Sequence, residues 1–132
     1  MTVGERQEHA SALKREMNCC QAVARAFSDT LALDEPTLMS LASGFGSGMG
    51  TMEGTCGALV GAIMVAGLRT GGKDRMVFSR TILSRFKELC GATACCDLKG
   101  IDTGKVLCSC DNCVRNAVLA VEEALAQGKE MK

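Results

Sequence analysis

The chain has 132 residues, enough for one domain with its own core and too few to expect two. Lys plus Arg and Asp plus Glu number 15 each and the pI is near 6.6, so no basic field points to nucleic acid and no acidic tail to disorder. The nine cysteines follow a charged start, MTVGERQEHASALKREM, with no apolar leader; this pattern predicts a cytoplasmic, reducing setting and metal or redox chemistry in place of a disulfide framework.

From Glu5 to Asp29 the apolar residues Leu13, Met17, Cys20, Val23 or Ala24, and Phe27 recur at helical spacing. Beside them runs a flank of small residues, Ala12, Cys19, Ala22 and Ala26, which lets another backbone approach and puts Cys19 at a helix contact. Asp34, Glu35 and Pro36 then open a short helix that ends by Gly44. The loop GFGSGMG follows. Its glycines Gly46, Gly48 and Gly50 either bring backbone amides close to whatever Cys56 binds or make a tight turn.

The run from Cys56 to Leu68 carries no charge and is shorter than the roughly 20 apolar residues a membrane span needs. It predicts a central helix, hydrophobic all round, with Thr55 as N-cap and Gly71 as its stop. Cys56 then falls in the first turn. A helix N-terminus stabilises an anion by up to about 2 kcal/mol, enough to bring a thiol from near 8.5 to about 7, while apolar burial pushes the other way. Gly57 and Gly61 lie one turn apart, and each costs about 1 kcal/mol relative to alanine in a helix; they predict a close approach of another backbone or of a bound centre.

After a GGKD turn, Arg75 to Leu89 reads as an amphipathic helix with Phe78, Ile82, Phe86 and Leu89 inside. The stretch from Cys90 to Cys110 has no clear period, and such a segment in a small domain is usually functional. Asp111 caps a last helix over 112–126, with Val114, Val118, Val121 and Leu125 inward and Cys113 in its first turn. The whole is all-α: one bundle of about five helices spanning residues 1–132, with a glycine loop and a cysteine-rich loop.

Few chemistries are open to these residues. His9 is the one histidine and reads as solvated, and GLRTGGKD, over 67–74, fails as a phosphate loop because Asp74 stands where Ser or Thr is needed and no strand precedes it. Cys108, Cys110 and Cys113 form CxCxxC, spacing that suits zinc or an iron–sulfur cluster; Cys110 and Cys113 alone would also suit an exchanging dithiol, and unligated thiols remain a third reading.

The sequence resembles the C_GCAxxG_C_C family of small redox-active proteins. CGALVG at 56–61 fits its central motif, NCCQAVARAF its opening cysteine segment, LASGFGSGMG its glycine loop, CCDLKGID its third cysteine region and CVRNAV its fourth. The resemblance spans about Asn18 to Leu125. It implies a redox role carried by Cys19, Cys56, Cys96 and Cys113, with an iron–sulfur cluster as the natural ligand of the four and zinc, or no metal, as alternatives. Electron transfer with a redox partner protein follows from that reading, without membrane insertion, and homodimerisation stays open. Cys20, Cys90, Cys95, Cys108 and Cys110 depart from the pattern and raise the question of a second site.

Overall fold

The computed structural model describes residues 1–130, and among these it is all-α: seven α-helices and no strand. They are α1 (Val3–Leu13), α2 (Cys19–Ala26), α3 (Glu35–Ala42), α4 (Gly57–Thr70), α5 (Arg75–Cys90), α6 (Cys95–Lys99) and α7 (Cys110–Glu130), with a 3-10 turn at Ser28–Thr30. No helix among the described residues is long and apolar enough to cross a membrane.

The N-terminal stretch is two helices, α1 and α2, where the spacing alone predicted one segment. The break is encoded by Asn18, whose side chain accepts from the Gln21 amide at 2.9 Å while the Gln21 side chain accepts from the Asn18 amide at 3.2 Å. This reciprocal cap satisfies two first-turn donors and starts a new helix at Cys19. Asp34 caps α3 through the Thr37 amide, as its position predicted, and Gly71, in the left-handed region, stops α4.

Helix α4 is the centre of the bundle, packed on α2, α5 and α7. Its seam with α2 is built on the absence of side chains. A Cβ on Gly61 would lie 2.9 Å from the Cys20 carbonyl oxygen and 3.1 Å from Val23 Cβ; one on Gly57 would lie 2.6 Å from Cys19 Sγ and 2.7 Å from the Phe45 carbonyl oxygen. Only glycine admits the neighbouring helix at this distance, as the pair one turn apart predicted.

The main core joins Val23, Phe27, Leu59, Val65, Ile82, Phe86, Val114, Val118 and Val121, all fully buried, and a smaller group of Cys20, Ala24, Leu38 and Ala42 sits under α3. Arg6 is buried in the seam between α1, α2 and α7. Its guanidinium donates to the Ala26 carbonyl at the end of α2 and to Asp29 at 2.7 Å, lies 3.2 Å from Glu122, and stacks 4.7 Å over Phe27.

The candidate thiol centre

Four helix ends and two loops converge where the cysteines gather. Helix α4 begins one residue later than Thr55 capping implied, so that Cys56 is itself the N-cap. The reason is non-local: Thr55 bridges to Ala94, the Cys56 amide donates to the Thr93 carbonyl at 2.8 Å and the Cys95 amide to the Gly54 carbonyl at 3.0 Å. This pairing ties the start of α4 to the start of α6. Helix α7 begins at Cys110, with the Ser109 hydroxyl accepting from the Asn112 amide at 3.3 Å, and Cys113 donates its amide to the Ser109 carbonyl at 2.8 Å. Asp111 is thus inside the first turn and is not its cap.

Cys19, Cys56, Cys95, Cys110 and Cys113 line one small cavity of about 90 Å³, with Lys14 and Lys99 and with Asn18, Ser47 and Met52. A single water needs roughly 10–15 Å³, so the space admits a ligand of several atoms. Surface clefts of about 370 and 500 Å³ beside α5 and α7 hold no cysteine. Of the four cysteines implied by the family resemblance, the fold brings Cys19, Cys56 and Cys113 to this cavity. Cys96 is half-exposed, is absent from the lining, and has its Sγ 4.0 Å from an Asp97 carboxylate oxygen; its neighbour Cys95 lines the cavity in its place, 3.7 Å from Met52 Sδ.

The glycines serve mainly to seat these thiols. Gly57 leaves the space that Cys19 Sγ fills, Gly46 packs against Asn18, and a Cβ on Gly48 would lie 2.8 Å from Cys95 Cβ, whereas Gly50 faces open space. The loop between α3 and α4 holds left-handed backbone at Ser47, Gly48, Met49, Gly50 and Met52. Three of these are not glycine, and non-glycine residues there store strain that persists where a site requires it; Ser47 and Met52 are the two that reach the cavity.

Electrostatically the thiols form a chain. The Cys19 thiol is raised far above its ordinary value, first by its hydrogen bond to Cys56 and then by burial, against the backbone of Ser47 and the charge of Lys14. Cys56 is pushed up to about 11 through its hydrogen bond with Cys113 and its burial, with Cys19 pulling it down. Cys113 is favoured as thiolate by Cys56, but hydrogen bonding with Cys90, burial and Cys108 prevail and raise it. Of the two opposed effects weighed for Cys56, the helix terminus and burial, the upward one prevails, with the hydrogen bond to Cys113 as its largest part. Burial would lower Lys99, yet Cys113 and Cys110 hold it as ammonium, its Nζ 3.4 Å from Cys113 Sγ and 2.8 Å from the Cys108 carbonyl oxygen.

Cys90 and Cys108 lie outside the cavity lining, and their sulfurs and that of Cys113 stand within 4.8 Å of one another, a buried group whose soft donor set suits a metal ion. Sequence reasoning missed Lys14, Lys99, Asn116 and the placement of Cys90. A signal existed for two of them. Lys99 follows Cys95 by four residues and Asn116 follows Cys113 by three, which on a helix are same-face neighbours.

Compared with known families, residues 17–124 match the model described as "Putative redox-active protein (C_GCAxxG_C_C)". Comparison with curated proteins and with solved structures gives no match.

Proposed function

The chain belongs to the C_GCAxxG_C_C family, and from that premise we propose that it transfers electrons through an iron–sulfur cluster held at the thiol-lined cavity. The observation that carries the reading is the continuous run of buried thiols, Cys19 to Cys56 to Cys113, delivered by three separate helices to one cavity with two ammonium groups on its wall.

The residues fit such a group. Thiolates are its usual ligands, and the cavity has room for more than a bare ion. A coordinated metal removes the thiol protons outright, which resolves the competition that otherwise drives these values up. When bound, the cluster supplies one-electron exchange at a potential set by its charge, hydrogen bonds and exposure. Lys14 and Lys99 offset the charge of the thiolates, the Gly57 gap fixes Cys19, and α4 and α7 present their N-terminal ends to the anionic group. Cys19, Cys56 and Cys113 are the proposed ligands, and Cys95 is nearer than Cys96 to supply the fourth.

A metal-free dithiol is less well supported. Its hydrogen bond with Cys113 and its burial push the Cys56 thiol up to about 11, which favours the protonated thiol over the attacking thiolate when no metal is bound. Anaerobic purification with an absorption spectrum and iron, sulfide and zinc analysis tests the proposal. Visible charge-transfer bands with acid-labile sulfide are expected. A protein that stays colourless after reconstitution and reversibly loses two thiols on oxidation would instead be an oxidoreductase.

A further inference from the structure

Two buried thiols, Cys90 and Cys108, line no part of the cavity, and neither is among the four cysteines of the family resemblance. Cys90 ends α5, Cys108 closes the irregular segment before α7, and Cys113 lies one turn into α7. Their exposures are 4%, 7% and 1%, and their three sulfurs stand within 4.8 Å of one another. Tetrahedral thiolates about 2.3 Å from one ion stand about 3.8 Å apart, so the three need close by no more than about an ångström. Cysteines bound to different irons of a cluster splay outward and stand farther apart.

Donors surround these sulfurs. Asn116 Nδ2 lies 3.3 Å from Cys90 Sγ and 3.9 Å from Cys108 Sγ, and Lys99 Nζ lies 3.4 Å from Cys113 Sγ. N–H groups aimed at sulfur stabilise thiolate charge and are what orients the ligands of a metal from outside its first sphere.

We infer that Cys90, Cys108 and Cys113 hold a single thiophilic divalent ion, zinc in the first place, at a site separate from the cavity centre. Zinc follows from an all-sulfur donor set and from its place above iron in affinity for a common site. Binding replaces three S–H bonds by three metal–sulfur bonds and releases three protons. Three thiolates exceed the ion's charge by one, and the Lys99 ammonium offsets the excess. Cys113 is the one residue common to both sites, and a thiolate sulfur has lone pairs enough to bridge two metals. The ion fastens the end of α5 to the start of α7 and so holds Cys113 at the cavity wall; its presence does not depend on an iron–sulfur cluster there.

The test uses full-length reduced apo-protein, titrated anaerobically with zinc against a competing chelator. The variant Cys19→Ser/Cys56→Ser/Cys95→Ser/Cys110→Ser keeps the three thiols while removing the other four from the cavity. It should bind one zinc per chain, with at least three sulfur neighbours near 2.3 Å by X-ray absorption. Asn116→Leu should weaken that zinc by about 10–100-fold, and Cys90→Ser/Cys108→Ser should hold one zinc per chain fewer than the wild type. No zinc in the first variant, or zinc with fewer than three sulfur neighbours, overturns the inference; so does an unchanged zinc content in Cys90→Ser/Cys108→Ser. The sulfur count in the first variant decides even where Cys90→Ser/Cys108→Ser does not fold.

Discussion

Cys56 occupies the point where three demands meet: it caps α4, pairs through its amide with the strand-like turn before α6, and shares protons with sulfurs on both sides. If Cys56 ligates the proposed cluster, replacing its thiol by a hydroxyl removes a soft ligand with little change in volume. Under anaerobic reducing conditions Cys56→Ser is expected to lose most iron and sulfide and to melt lower than the loaded wild type, since metal binding free energy is also folding free energy. Full iron occupancy in the variant would take Cys56 out of the ligand set. At this scale the sequence was partly legible. CGALVG and CVRNAV announce Cys56 and Cys113 by local context, whereas Cys90 and Cys108 reveal nothing until the end of α5 is folded against α7. Cys95 and Cys96 are adjacent on a short helix, about 100° apart around its axis, and only the pairing of Gly54 to Cys95 settles which of them turns to the cavity.

Between elements, the α2–α4 seam and the Arg6 junction carry the packing that places these residues. A leucine at Gly61 would drive into the Cys20 carbonyl and Val23, and the backbone oxygen cannot step aside. Gly61→Leu should therefore destabilise by about 1–3 kcal/mol, read as a lower midpoint in denaturant with unchanged slope; an unchanged midpoint would show that the two helices separate freely. Arg6 acts differently. Asp29 is more than half exposed, so losing that ion pair matters little, but the Ala26 carbonyl at the end of α2 would be left buried without a donor. Arg6→Leu should cost about 1–3 kcal/mol, the range for one buried unsatisfied group, and thermal melts beside Asp29→Asn should show most of the loss in Arg6→Leu alone. Equal losses in both would place the energy in the ion pair instead. Neither the Arg6 junction nor the break between α1 and α2 follows from apolar spacing. The Asn18-to-Gln21 cap was readable three residues apart, but the small and apolar residues recurring from Ala12 to Ala26 read as one helix unless such a cap is sought.

For the molecule as a whole, the all-α class and the order of the helices follow from local periods in the sequence: α4 uncharged up to Leu68, amphipathic α5 and α7, and a capped α3. The centre does not, because it is made of contacts between residues far apart in the chain, and those contacts give the reduced, metal-free protein a characteristic dependence on pH. Cys19, Cys20, Cys56 and Cys113 all hold their protons more tightly folded than unfolded, with Cys56 near 11 and Cys20 near 12 against an ordinary 9.0. The folded state thus binds more protons than the unfolded chain between these limits, and stability falls with rising pH wherever that holds. The thiol contribution is complete below about pH 9 and is lost as the pH climbs through 11 to 12, with Cys56 alone on the order of 3 kcal/mol. Denaturant midpoints of the reduced apo-protein should accordingly be flat from pH 7 to about 8.5 and decline steeply above it. The metal-loaded protein, whose ligating thiols carry no proton in the folded state, should show the opposite slope below pH 9, gaining stability as the unfolded thiols lose theirs less readily than the ligands do. Parallel curves for the two forms would mean that the bound metal takes no thiolate from this chain of sulfurs.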